Sequence, residues 1–220
     1  MKKAIILLSG GQDSTTCLYW AKKAFDELYA IGFDYGQTHI KELDQAAEIS
    51  KAAGIDFDVV NIKGMLGGSS LTDPSIDHAS KHENNLPASF TSGRNLLMLI
   101  IAAQVATTKG INDIVAGFCQ TDYAGYPDCR RTTIDSMQTS LSLGMGHGDF
   151  RIHTPLMYLT KAETWKMAKD LDIMDVIIND TITDYNAAKK VNEWGMGDIN
   201  NPATKLRADG YLEAKEKGWI

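Results

Sequence analysis

Ala4-Ile5-Ile6-Leu7-Leu8-Ser9-Gly10-Gly11-Gln12-Asp13-Ser14 decides the reading of this chain. Five consecutive apolar residues, Ala4 to Leu8, make a strand buried on both faces, the habit of parallel sheets. Two glycines then let the backbone turn tightly and aim N–H groups at an anion. Ser9 and Ser14 add hydroxyl donors. The segment Ser14 to Ala24, without Pro or Gly, continues as a helix, and its first turn supplies oriented N–H groups without intrahelical acceptors. Strand, glycine turn and helix together predict a phosphate site built from Ser9, Gly10, Gly11, Gln12, Asp13 and Ser14. Asp13 has two readings, a carboxylate for a magnesium ion bridging phosphate oxygens or a helix cap. The turn fits neither GxxxxGK[ST] nor GxGxxG.

Outward from this segment the same alternation repeats. Leu28 to Phe33 and Phe57 to Ile62 read as strands, with a helix over Lys41 to Ala53 that Gly54 stops. Residues 64 to 92 break the rhythm and read as a long excursion over the sheet edge or the site. Asn95 to Thr108 is a strongly apolar helix, Asp113 to Gly117 a fourth strand and Thr132 to Leu143 a helix. Phe150 to His153 is a fifth strand and Lys161 to Asp170 a further helix. From Thr183 onward the chain is richer in Gly, Asn and Asp. The expectation is an α/β fold with right-handed crossovers, divided into a main domain, 1–182, and a small C-terminal lobe, 183–220.

Composition narrows the class. A length of 220 residues suits one large domain, or one domain plus a short lobe, with a core that needs no staples. A net charge of -6 argues against non-specific nucleic-acid binding as the main task. The apolar run behind Lys2 and Lys3 is too short for a signal peptide core, and no stretch is long enough to span a membrane; a cytoplasmic enzyme is expected. Only Cys17, Cys119 and Cys129 are present, so there is no disulfide framework and no four-cysteine metal site. His78 and His82 are four residues apart, but Glu83 does not complete HExxH.

Four further stretches hold candidate site residues. Phe33-Asp34-Tyr35-Gly36-Gln37-Thr38-His39 follows the second strand, at the sheet edge where ligands bind in such folds. His39 contacts nucleotide or substrate there, or sits in an ordinary hydrogen-bonded loop. In Thr91-Ser92-Gly93-Arg94-Asn95, Arg94 offers a rigid donor fork for phosphate or carboxylate, while Asn95 caps the helix or orients Arg94. In Asp122 to Arg130, Tyr123 or Tyr126 can stack on a planar heterocycle. Asp122 or Asp128 can accept from its ring N–H and amine groups; a rigid turn over the core is the alternative. Cys129 has no visible histidine partner to activate it. His153-Thr154-Pro155-Leu156 leads to Thr160 and Glu163, which fit a capping box. Beside them Lys161 either approaches phosphate or is solvated.

SGGxDS resembles the pyrophosphate loop of the N-type ATP pyrophosphatases. With FDYGQTH, the Gly93-Arg94-Asn95 step, DYAGYPDCR and HTPL, the chain from Ser9 to about Gly210 resembles the 7-cyano-7-deazaguanine synthase family. The resemblance implies a Rossmann-like parallel sheet of about five strands of the adenine nucleotide alpha hydrolase type. It implies an ATP-dependent carbon–nitrogen ligase that uses ammonia, Mg2+ and two ATP to turn 7-carboxy-7-deazaguanine into the nitrile through adenylated acid and amide intermediates. It also implies a homodimer. Asp13, Arg94 and Lys161 would be catalytic, and Gln37 and Arg94 would join the loop in holding nucleotide. Tyr35, His39, Asn95, Asp122, Tyr123, Tyr126, Asp128 and Arg130 would hold the deazaguanine.

The tail departs from that family. Asp184, Asp198, Asn201 and Thr204 stand where similar enzymes keep four zinc-binding cysteines, and they are a poor tetrahedral zinc set. Structural zinc is therefore expected to be absent, with polar contacts and apolar packing in its place. Trp194, Met196, Tyr211 and Trp219 are the candidate core or dimer anchors. Alternative readings stop at the amide, pass the adenylated acid to another amine, or make the chain a nucleotide-dependent interaction module.

Overall fold

The computed structural model describes residues 1–37, 41–77, 80–121, 126–146, 149–182 and 191–220. Strands β1 (Lys3–Leu7), β2 (Glu27–Asp34), β3 (Asp56–Asn61), β4 (Asp113–Val115) and β5 (Arg151–His153) form one sheet in the order β3-β2-β1-β4-β5. Every neighbouring pair is parallel. This is the expected five-stranded Rossmann-like sheet.

Side-chain alternation explains why β1 is continuously apolar. Ile5 points into a core with Ile31, Phe33, Ile114 and Ile152, covered by α3 (Arg94–Thr108) and α4 (Arg131–Gly144). Ala4, Ile6 and Leu8 point the other way, under α1 (Gln12–Ala24) and α2 (Lys41–Ala53). Each fully buried Ile or Leu here contributes about 1.5–3 kcal/mol. α3 buries Leu99, Ala102, Ala103 and Ala106, one stripe at helical spacing. β3 is one edge, and its Asp56, Val59 and Asn61 face solvent.

Observed boundaries of these elements lie within two residues of the expected ones; the first helix begins at Gln12, inside the glycine turn. Among the described residues of 64–92 there is no helix, and their only ladder contact is a bridge between Lys81 and Pro87. Beyond α5 (Lys161–Asp170), the sequence reading omitted α6 (Met174–Asp180), the hairpin β6 (Val191–Asn192) with β7 (Gly195–Met196), and α7 (Pro202–Glu216). α7 is capped by Asn201, whose Oδ1 accepts from the Ala203 N–H at 2.9 Å, with Pro202 in the first turn. It packs on α5 and α6 in a third core of Trp165, Ile173, Ile177, Trp194 and Ala208, with Tyr211 and Trp219 at its margin.

No described helix is long and apolar enough to cross a membrane.

Candidate functional site

β1 has β2 on one side and β4 on the other, so the chain changes direction of winding there. The crevice beyond their C-terminal ends is the topological switch point, where ligands bind in open α/β sheets. Ser9 to Ser14 lies in it. Gly11 is the N-cap of α1, and among the described residues no side chain accepts from the helix's first N–H groups there. The loop is braced from within. Ser14 Oγ lies 3.1 Å from Ser9 Oγ, accepts from the Ser9 N–H and donates to the Gly11 carbonyl. Gln12 is 3% exposed, and its amide nitrogen has no partner among the described residues. An uncapped helix N-terminus beside an unpartnered donor has the electrostatics to accept an anion.

Close backbone packing gives the loop its shape. Gly10 has φ +82°, and a Cβ there would stand 2.6 Å from the Glu42 carbonyl oxygen at the start of α2. Its own carbonyl accepts from the Ile182 N–H at 3.1 Å. On the other flank, a Cβ on Gly117 would meet Asp13 C at 3.0 Å and Ser14 N at 3.1 Å. Only glycine admits such approaches.

Asp13 lies in the first turn of α1, not at its cap. Lys161, the first residue of α5, donates to both its carboxylate oxygens, at 2.8 and 2.9 Å. Lys161 is nearly buried and Asp13 about a quarter exposed, so Lys161 is not a solvated lysine. The Thr160–Glu163 capping box fixes the start of α5 and hence the direction of Lys161. For magnesium the fit is acceptable: Asp13 offers one hard carboxylate beside the Ser9–Ser14 loop, and a bound nucleotide and water would supply the rest of the shell.

Arg94 opens α3 beyond Gly93, whose φ of +74° makes Gly93 the cap in place of Asn95. Its guanidinium lies over the Tyr35 ring, 5.7 Å from the centroid. Glu42 faces the same group. Crowding by protein pushes its carboxyl up to about 7, against the pull of Arg94. Burial also raises the Tyr35 phenol, again opposed by Arg94. Because Glu42 also touches Gly10 through its backbone, this cluster borders the phosphate loop. Gln37 braces its own turn, accepting from the Tyr35 N–H at 2.9 Å and donating to the Phe33 carbonyl at 3.1 Å.

One residue along, the Asn95 N–H donates to Asp128 at 3.3 Å and its amide to Cys129 Sγ at 3.2 Å. Burial lifts the Asp128 carboxyl above the usual carboxylate range. Tyr126 is tied to the excursion through its hydroxyl, 2.7 Å from Ser89 Oγ, and its ring lies 5.6 Å from that of Phe90. Arg130 directly precedes α4. His39, Asp122, Tyr123, His78 and Asp184 lie outside the described residues. His82 Nε2 is 2.9 Å from the Phe90 carbonyl oxygen, and the His153 ring packs between Phe25 and Asp113, away from the loop.

The tail positions do not fit a structural zinc ion. Asn201 caps α7, Asp198 accepts from the Asn200 N–H at 3.0 Å, and Thr204 is fully buried with a hydroxyl that has no described partner. An amide, a hydroxyl and a carboxylate are not thiolates. Arg207 is fully buried instead. It donates to the carbonyls of Trp194 (2.9 Å) and Ile177 (2.6 Å) and to the Thr181 hydroxyl (2.7 Å), and it lies over the Trp165 ring. It joins hairpin, α6 and α7 through one cation, and burial lowers its pKa to about 10. Sequence reading passed over Glu42, Gly117 and Arg207. A glutamate in a first helical turn and an arginine in a polar tail carry no local mark of burial.

The family model described as queuosine biosynthesis protein QueC matches residues 3–215. A 7-cyano-7-deazaguanine synthase of Clostridium botulinum (strain Loch Maree / Type A3) is 46% identical over 220 residues, covering 98% of this chain and 97% of that one. A 7-cyano-7-deazaguanine synthase of Bacteroides fragilis is 46% identical over 217 residues, 97% and 96% of the two chains. Among solved structures, a 4-thiouridine synthetase–RNA complex with bound ATP shares the fold at TM-score 0.54 and 16% identity, over 98% of this chain and 53% of that one. A predicted tRNA methyltransferase subunit from Methanocaldococcus jannaschii does so at TM-score 0.50 and 16% identity, over 77% and 75%.

Proposed function

The chain belongs to the queuosine biosynthesis protein QueC family, and we propose how its residues divide the work of that family's reaction. Its general function is the ATP-dependent formation of 7-cyano-7-deazaguanine, a carbon–nitrogen ligase activity. In our reading 7-carboxy-7-deazaguanine is adenylated, ammonia displaces AMP to give the amide, and a second adenylation, on the amide oxygen, lets AMP leave as the nitrile forms.

The observation that carries the assignment of roles is the uncapped N-terminus of α1, with Asp13 and Lys161 paired in its first turn. Ser9, Gly10, Gly11, Gln12 and Ser14 take the pyrophosphate on backbone N–H and side-chain donors. Lys161 adds positive charge at the same point and aligns Asp13. Asp13, with the nucleotide phosphates, would hold Mg2+, which when bound neutralises charge on the departing pyrophosphate. Arg94, its face on Tyr35, binds the α-phosphate or the substrate carboxylate, and Gln37 holds the loop beside it. Tyr35, Asn95, Tyr126, Asp128 and Arg130 would hold the deazaguanine, a role the family resemblance extends to His39, Asp122 and Tyr123. Residues 1–182 are the synthase domain and 183–220 its C-terminal lobe; the enzyme works as a cytoplasmic homodimer.

Product analysis with 7-carboxy-7-deazaguanine, ATP, Mg2+ and ammonia tests this. Nitrile is expected. Accumulated amide would limit the enzyme to the first amidation, and no turnover of that acid would refute the substrate assignment.

A further inference from the structure

Gly210 sits in the buried interior of α7, where glycine costs a helix about 0.5–1 kcal/mol relative to alanine. The cause is a close crossing. A Cβ at Gly210 would stand 2.7 Å from Lys161 Cγ, 2.8 Å from Lys161 Cβ and 2.9 Å from Lys161 C. Carbon atoms in ordinary contact lie at about 3.5–4.0 Å. The Lys161 side chain crosses bare backbone at this point and then reaches Asp13. Slippage of α7 is blocked nearby: the Trp165 ring N–H donates to the Arg207 carbonyl at 3.0 Å, and Tyr211 packs edge-on against Trp165 at 5.1 Å.

We propose that Gly210 is a positioning residue for the phosphate site: α7 presents a surface without a side chain there, and Lys161 is thereby laid against Asp13. The inference rests on reading Lys161 and Asp13 as phosphate-site residues. The last helix of the chain becomes the wall against which the lysine is aimed. A methyl group at 210 pushes Lys161 by about 1 Å, and displacements of that size cost up to about 100-fold in rate.

The test is a double-mutant cycle between Gly210→Ala and Lys161→Met, read in single-turnover pyrophosphate release and in equilibrium ATP binding. Gly210→Ala alone is expected to slow release about 10–100-fold with its circular dichroism unchanged. In the Lys161→Met background the same substitution should cost less than about two-fold further. A Gly210→Ala enzyme as fast as the parent, or a loss of equal size in both backgrounds, would overturn the proposal. Ala208→Gly serves as the folding control, since it weakens the same helix. If Gly210→Ala cannot be recovered folded while Ala208→Gly can, the contact serves packing rather than placement of the lysine and the proposal falls; if neither folds, α7 is merely intolerant and the proposal falls too. ATP binding needs no deazaguanine, so a parent enzyme that ignores that acid counts against the substrate reading alone.

Discussion

Replacing Glu42 by glutamine should stabilise the protein above neutral pH and do little in acid. Glu42 lies in the first turn of α2, half-buried, with its backbone carbonyl against Gly10 and its carboxyl facing Tyr35 and Arg94. Burial carries its pKa from 4.5 to about 7, and Arg94 offsets only part of that. Between those two values the folded chain binds more protons than the unfolded chain, so stability falls as pH rises through the interval and levels off above about 7. At about 1.4 kcal/mol per pH unit the full penalty is about 3 kcal/mol. Glutamine keeps the shape and cannot ionise. Urea unfolding of parent and Glu42→Gln should therefore differ by less than about 1 kcal/mol at pH 5 and by about 3 kcal/mol, in favour of the variant, at pH 8.5. Comparing the two proteins at each pH cancels every other titrating group. A difference that stays constant with pH, or one that grows toward acid, would refute the placement of Glu42 in a desolvated site. In the proposed site, the protonated form of Glu42 would leave the charge of Arg94 to the nucleotide.

Asp13→Asn should fold normally yet lower pyrophosphate release by about 100-fold or more, since it removes the carboxylate held by Lys161; unchanged steady-state activity would remove Asp13 from the mechanism. Gly117→Ala places a methyl 3.0 Å from the Asp13 backbone and should weaken ATP binding about ten-fold, by calorimetry, with a stability loss below about 2 kcal/mol. Arg207→Met should cost about 3–5 kcal/mol in urea unfolding and expose residues 191–220 to protease, because the buried Trp194 carbonyl and Thr181 hydroxyl lose the donated bond from Arg207 and the Ile177 carbonyl keeps only that from Thr181. Elemental analysis of the folded chain should find no stoichiometric zinc; about one tightly held ion per chain would contradict the reading of Asn201 and Thr204.

The parts legible in the sequence share a physical cause. Ala4 to Leu8 is apolar throughout because both faces of β1 are covered, and that pattern exists before any tertiary contact does. The glycine turn, the Thr160–Glu163 box and the helical stripe of α3 are likewise local matters, settled within one or two turns of chain. The sequence reading omitted α7 because its Gly210 interior and its polar surroundings weigh against a helix, although Asn201 and Pro202 are a local start signal. The third core outweighs them, and it is not visible over a short window.

Residues of the site divide in the same way. Asp13 and Lys161 are each plausible phosphate ligands from their own surroundings, but they are 148 positions apart and only the folded sheet makes them a pair. Burial of Glu42 beside Arg94, and of Arg207 among three carbonyl and hydroxyl acceptors, depends on elements that arrive from distant segments. The sequence by itself determined the class of fold, the strand–glycine turn–helix segment, the family motifs and the lack of thiolate ligands in the tail, since periodicity and residue chemistry are properties of short stretches. Tertiary structure alone decided which charges meet, which are desolvated and where a glycine must stay bare, because those depend on which distant groups exclude water from one another.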